Sequence, residues 1–116
     1  MRQRLTLIAL ALFTVLQLSG KLPAQASTDV YITAKNFSFS PAVVRLKKGE
    51  PVVFHLRSTQ GVHGLNAPAV GIHDLVLTAK EAFVRATPSQ AGTFVVHCSI
   101  VCGAGHAQMA MTFIVK

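Results

Sequence analysis

The chain has 116 residues, a formal net charge of +7 at neutral pH and 51% hydrophobic residues. This length suffices for one small domain with a single core and leaves no room for a second domain. Although the chain is basic, no run of Lys and Arg is interleaved with aromatic residues, which argues against a nucleic-acid partner.

The N-terminus has the pattern of a secretory signal peptide. A basic MRQR precedes an uncharged apolar run over residues 5–18, and PAQAS places small residues at a cleavage site after Ala26. We therefore expect a signal peptide over 1–26 and a periplasmic or secreted domain over 27–116. That domain has eight basic and four acidic residues, a formal charge of +4. The alternative is a retained membrane anchor, but the run is shorter than the roughly 20 residues that span a bilayer.

After residue 26 the sequence alternates between short apolar segments and turn residues. In residues 48–50, KGE, Gly49 can adopt the positive φ that a turn requires. Period-2 patterning predicts strands over 29–35, 42–48, 51–58, 73–78, 81–87, 92–98 and 108–115. This spacing, without a helical period beyond the signal, predicts an all-β sandwich.

The strand that ends in the first cysteine has a predictable orientation. Alternation puts Phe94, Val96 and Cys98 on one face of the strand and His97 on the other. If the first two face the core, Cys98 also faces inward. We therefore expect His97 to point away from any site that contains Cys98.

The stretch HCSIVCGAGHAQM gathers both cysteines of the chain into the pattern C-x3-C-x3-H-x2-M. The pattern residues are Cys98, Cys102, His106 and Met109. Thiolate and thioether are soft ligands, and together with imidazole they favour copper, whereas methionine is out of place at zinc. A Cys98–Cys102 disulfide is the alternative in an oxidising compartment. It would close a very small loop and leave the histidine and methionine unexplained.

Two thiolates that bridge two metal ions would need an imidazole for each ion, so a second histidine is expected from another loop. The candidates are His55, His63 and His73. His55 lies in a predicted strand, and His73 stands at a strand start. His63 lies between predicted strands and is flanked by glycines, so we predict it as the ligand and assign the other two to the surface.

These motifs resemble the CuA-type cupredoxins, which include the soluble domain of cytochrome c oxidase subunit II and the CuA domain of nitrous oxide reductase. The chain is most similar to the small subunit II of ba-type bacterial oxidases. The similarity covers residues 36–58, 61–65 and 92–116 in the family's order. The pattern C-x3-C-x3-H-x2-M is specific for CuA, because the mononuclear blue-copper proteins carry one cysteine there.

The resemblance implies a Greek-key β-sandwich that holds two copper ions. Cys98 and Cys102 would bridge the ions, and His63 and His106 would bind one each. The implied weak ligands are Met109 for one ion and the backbone carbonyl of Ile100 for the other.

The chain also departs from the oxidase pattern. Ile100 occupies the position between the cysteines where oxidases typically have a glutamate, and the chain has no Trp. TQGVH replaces the acidic residue before the first histidine, and a +4 charge suits an acidic docking face poorly. The copper ligands are thus complete, while the surroundings specific to oxidases are reduced.

Our leading hypothesis is an electron-transfer protein that shuttles single electrons to or from a redox partner, such as a cytochrome or an oxidase, without catalysis of its own. The alternatives are an oxidase subunit II associated with the membrane through its N-terminal segment, a copper carrier or sensor, and a disulfide-stapled binding module. Sco-type copper chaperones also use C-x3-C, but their fold needs a longer chain with helices. A proline usually follows their second cysteine, where this chain has Gly103.

Overall fold

The computed structural model describes residues 17, 19–20 and 26–116, and within them the secondary structure is almost entirely β. The strands are β1 (Thr28–Lys35), β2 (Ser38–Ser40), β3 (Val43–Leu46), β4 (Val52–Ser58), β5 (His63–Ala67), β6 (Ile72–Leu77), β7 (Ala82–Ala86), β8 (Gly92–His97) and β9 (Ala110–Val115). Short 3-10 helices cover Pro68–Val70 and His106–Gln108. The predicted signal peptide lies outside the described residues, apart from residues 17, 19, 20 and 26. None of the described residues belongs to a helix with the length and apolar character needed to cross a bilayer.

The strands form a two-layer sandwich, which confirms the predicted all-β class. One sheet has the strand order β2-β1-β4-β7, and the other contains β3-β9-β8. The β5-β6 pair joins the edge of the second sheet through a single bridge between Leu65 and Cys98. The two main sheets meet in the core, where the rings of Phe54 and Phe113 pack edge to face with centroids 6.1 Å apart.

Alternating burial explains why these segments are strands. Ile32 and Ala34 of β1 are buried, whereas Tyr31, which directly precedes Ile32, is 64% exposed. In β9, Met111, Phe113 and Val115 face the core in the same alternation. Each fully buried large apolar side chain contributes about 1.5–3 kcal/mol, so a shift by one residue would lose the core contacts of a whole strand.

All seven predicted strands are present, with ends that differ by one or two residues, and Gly49 has the expected positive φ of 81°. Two strands, β2 and β5, were not predicted. The prediction that His63 lies in a loop is wrong, because His63 is the first residue of β5. β5 has only five residues, includes a glycine, and buries four of them, so it lacks the alternation by which the other strands were found. The last strand begins at Ala110, because the residues before it form a 3-10 helix.

His55 ties three strands together on the outer face of the first sheet, away from the predicted copper ligands. Its Nε2 lies 2.8 Å from Asp29 Oδ1 on β1, and its Nδ1 lies 2.9 Å from Glu81 Oε1 just before β7. The imidazole stacks on Tyr31 at 4.4 Å and meets Phe83 edge to face at 5.0 Å. The hydrogen bond to Asp29 is the main cause that raises the pKa of His55 above 6.5, and Glu81 adds to it.

This arrangement predicts a pH-dependent contribution to stability. Because the pKa of His55 is higher in the folded than in the unfolded chain, its contribution is complete below about pH 6.5 and is lost as the pH rises through the folded pKa. We expect His55→Gln to lower the melting temperature more at pH 5.5 than at pH 9. Thermal unfolding at both pH values checks this, with His73→Gln, an exposed residue of β6, as the control. An equal effect of His55→Gln at both pH values would contradict the assignment.

Candidate metal centre

The predicted ligands meet at one end of the sandwich, where β5 begins and β8 ends. The Leu65–Cys98 bridge places the two strands side by side, and the Ser99 N–H donates to the carbonyl of Gly64 at 3.1 Å. On the other side, the Cys98 N–H donates to the carbonyl of Met109 at 2.9 Å and so closes the loop that follows β8. Backbone hydrogen bonds therefore fix β5 and both ends of this loop around the first cysteine.

Each cysteine sulfur lies beside the Nδ1 atom of a different histidine. Cys98 Sγ is 3.9 Å from His63 Nδ1, and Cys102 Sγ is 3.6 Å from His106 Nδ1. The donor atoms of His63, Cys98 and Cys102 all lie within 4.8 Å of one another. His106 is outside this group of three and adjoins it through Cys102, so the four residues that the sequence marked as strong ligands lie at the same end of the sandwich.

Each sulfur also has a different weak donor beside it. The Cys98 thiol donates to the backbone carbonyl of Ile100 at 3.3 Å, and Cys102 Sγ lies 3.8 Å from Met109 Sδ. These are the two positions that the resemblance named as weak ligands. All six predicted site residues therefore lie in one cluster that has two similar halves.

The tautomer of His63 follows from its hydrogen bond. Its Nε2 lies 2.7 Å from the backbone carbonyl of Gln60, which can only accept, so Nε2 carries the proton. In the neutral imidazole, the lone pair of Nδ1 then lies on the side of Cys98 Sγ, 3.9 Å away. A hydrogen bond at the far nitrogen is also how metal-binding imidazoles are usually oriented. His63 is completely buried, so this orientation is fixed by the surrounding protein.

Both cysteines are free thiols in this structure. Partial burial raises the pKa of the Cys102 thiol, and the neighbouring Cys98 adds to that effect. Metal binding requires thiolates and therefore releases protons from such a pair.

The cluster suits a soft metal ion in both chemistry and spacing. Bonds from a metal to thiolate and imidazole are about 2.3 and 2.0 Å long in zinc sites, so a sulfur and a nitrogen on one tetrahedral ion lie about 3.5 Å apart. The two sulfur–nitrogen distances of 3.9 and 3.6 Å are close to this value. A thioether and two thiolates favour copper among the ions that imidazole also binds.

Comparison with known proteins agrees with this chemistry. The sequence matches the family described as cupredoxin-like domain over residues 6–115. The chain belongs to the cupredoxin-like family. It is also 31% identical over 101 residues to cytochrome c oxidase subunit 2 of Thermus thermophilus, covering 81% of this chain and 75% of that protein. A second subunit 2 sequence from the same species matches equally well, and the chain spans 60% of its length.

Solved structures show the same cupredoxin fold. The periplasmic domain of cytochrome oxidase subunit II from Bradyrhizobium japonicum superposes with a TM-score of 0.67 at 15% identity, covering 77% of this chain and 83% of that one. The blue copper protein auracyanin A from Chloroflexus aurantiacus gives a TM-score of 0.57 at 11% identity, covering 78% and 100%. At these identities the comparison supports the fold of this cupredoxin and nothing further.

The other histidines of this cupredoxin lie outside the cluster. His97 is exposed at the end of β8, as the alternation predicted, and His73 is exposed on β6. His55 is bound between two carboxylates on the opposite sheet.

Sequence reasoning missed three residues that shape the cluster: Phe37, Gln60 and Gly64. Gln60 acts through its backbone carbonyl, which leaves no signal in the sequence. Gly64 donates its N–H to Cys98 Sγ at 3.4 Å, and a Cβ at Gly64 would overlap Ser99 Oγ and lie 3.2 Å from the Ile100 nitrogen. Its place beside His63 was the available signal, but it was interpreted as a sign that His63 lies in a loop between strands.

The close approach at Gly64 predicts a specific sensitivity. Gly64→Ala should destabilise the fold by about 1–3 kcal/mol, because β5 must move away from the loop after Cys98. Denaturant unfolding measures this cost. In a Ser99→Ala background, where the overlapping oxygen is absent, the same substitution should cost less. Equal costs in the two backgrounds would show that Ser99 is not the obstacle.

Proposed function

We propose that this cupredoxin binds two copper ions in a CuA-type centre and transfers single electrons outside the cytoplasm. The proposed ligands are the side chains of His63, Cys98, Cys102, His106 and Met109 and the backbone carbonyl of Ile100. One observation supports the proposal: two adjacent thiols lie within one cluster, and each has its own imidazole and its own weak donor beside it. A mononuclear site would need only one such set.

The chain's own residues supply a rigid, mostly dry cage. Cys98, Met109 and His63 are buried. The Gly64 N–H donates to Cys98 Sγ, and His63 Nε2 donates to the carbonyl of Gln60, so backbone groups hold two of these side chains in place. Copper, when bound by shared thiolates, would supply a centre that gains or loses one electron with the charge spread over both nuclei. Because the packed sandwich resists movement of the ligands, a change of charge would require little rearrangement.

The surface around the cluster favours an apolar redox partner. Val62, next to His63, is 50% exposed, and Val101, next to Cys102, is 87% exposed. Residues 59–66 and 98–109 contain no Asp, Glu, Lys or Arg. A partner such as a cytochrome would therefore dock through apolar contact rather than through an acidic face, and electrostatic steering would contribute little.

A second candidate is the role of subunit II in a haem–copper oxidase, with the N-terminal segment as a membrane anchor. The 31% identity to a protein named cytochrome c oxidase subunit 2 favours it. Ile100 in place of the usual glutamate and the absence of Trp argue for the independent role. Co-purification with a haem-containing membrane subunit would support the role of an oxidase subunit. Purification of a stable copper protein without other subunits would support the independent electron carrier.

The proposal predicts how copper loading depends on each histidine. The wild-type chain should take up about two copper ions, and His63→Ala should lose at least half of the bound copper, because a buried imidazole is removed from one ion. His55→Ala and His73→Ala are the controls and should load like the wild type. Elemental analysis after removal of free copper measures the ratio. If His63→Ala loads fully while a control variant does not, the ligand set is wrong.

A further inference from the structure

Phe37 packs against the loop between Cys102 and His106. The space for its ring is open because residues 103 and 105 of that loop are glycines. Phe37 is half-buried in the turn between β1 and β2. A Cβ on Gly103 would lie 2.9 Å from Phe37 Cζ, and a Cβ on Gly105 would overlap Cγ and Cδ2 of the ring. The ring therefore lies directly against the backbone between Cys102 and His106.

The same ring also contacts the second ligand segment. The centroids of Phe37 and His63 are 6.5 Å apart with an interplanar angle of 87°, which is an edge-to-face contact. Phe37 thus touches the imidazole on β5 and the loop that carries the second cysteine and the second imidazole.

The turn that carries Phe37 is itself fixed to the segment before His63. The Asn36 N–H donates to Gln60 Oε1 at 3.2 Å, and the Thr59 N–H donates to the carbonyl of Ala34 at 2.9 Å. Gln60 is also the residue whose carbonyl accepts from His63 Nε2. The ring is therefore held at a set distance from the buried imidazole.

The loop around the two glycines makes local backbone hydrogen bonds. The carbonyl of Gly103 accepts from the His106 N–H at 3.1 Å, and that of Gly105 accepts from the Gln108 N–H at 3.2 Å. These bonds shape the loop but do not set its distance from β5. The contact with Phe37 links the loop to the β1–β2 turn and, through it, to His63.

We propose that Phe37 is a positioning residue that sets the distance between His63 and the loop carrying Cys102 and His106. This inference rests on the proposed copper function and adds a determinant of the site that binds no metal itself. Backbone hydrogen bonds would still hold both ends of the loop, but loss of the ring should let its middle, between Cys102 and His106, move relative to His63, so that bound copper leaves more readily.

Copper release into excess chelator tests this role on the full chain. Phe37→Ala should release copper roughly 10-fold faster or more, the size of effect expected when a residue that orients ligands is lost. Phe39→Ala is the matched control, because it removes a ring from the core two residues away. Both variants should lose stability, but only Phe37→Ala should speed release. Phe37→Leu, which keeps apolar bulk, should lie between wild type and Phe37→Ala and remains measurable if the alanine variant fails to fold.

A double-mutant cycle on the metal-free chain tests the contact separately. The φ of Gly105 is −92°, which alanine can adopt, so the cost of Gly105→Ala should come from the clash with Phe37. Phe37→Ala removes the overlapping Cγ and Cδ2 but keeps the Cβ, which would lie 2.8 Å from the new methyl group, so in that background the cost should fall in part. Thermal unfolding of the four chains gives the coupling.

The outcomes separate the two proposals. Additive effects in the cycle, or equal release rates for Phe37→Ala and Phe39→Ala, would overturn the positioning role while the copper function stands. A wild-type chain that takes up no copper would overturn both proposals. Non-additive effects together with faster release from Phe37→Ala alone would support the positioning role.

Discussion

The site depends on a short backbone junction between β5 and β8. His63 and Cys98 are far apart in the sequence, and the bridge from Leu65 to Cys98 with the bond from Ser99 to Gly64 brings them together. This approach is possible because residue 64 has no side chain. A Cβ there would overlap Ser99 Oγ and press on Ile100, so this glycine lets β5 lie close to the start of the cysteine loop, where His63 and Cys98 meet.

The rest of the sandwich supports this junction. Phe54 and Phe113 pack between the sheets, and β9 returns the chain so that Met109 lies buried beneath the loop. The cysteine loop itself is short and closed at both ends by backbone hydrogen bonds. Strand packing and loop closure together leave the donor atoms little freedom, which is what a centre that changes charge without changing shape requires.

The sequence predicted what depends on side-chain chemistry and local alternation. The soft-ligand pattern from Cys98 to Met109 and the inward direction of Cys98 follow from residue type and period, and both agree with the structure. His63 was predicted as the second histidine ligand, and its Nδ1 lies 3.9 Å from Cys98 Sγ, although its predicted placement in a loop was wrong.

Contacts between distant segments could not be predicted in this way. The backbone carbonyl of Gln60 orients His63, and the ring of Phe37 fills the space over two glycines, yet neither has a local pattern. By residue type alone, the glycines at 103 and 105 indicate a backbone that can form a tight loop. In the structure they also make room for an aromatic ring from another turn. The composition of the loop was informative, but its partner was visible only in three dimensions.

Electron paramagnetic resonance of the copper-loaded chain tests the central claim most directly. If two sulfur atoms join a pair of copper ions, the unpaired electron should show multiline hyperfine structure from two equivalent nuclei, and Cys98→Ser should abolish it. A spectrum with hyperfine coupling to one copper nucleus only, or one that Cys98→Ser leaves unchanged, would contradict the dinuclear centre.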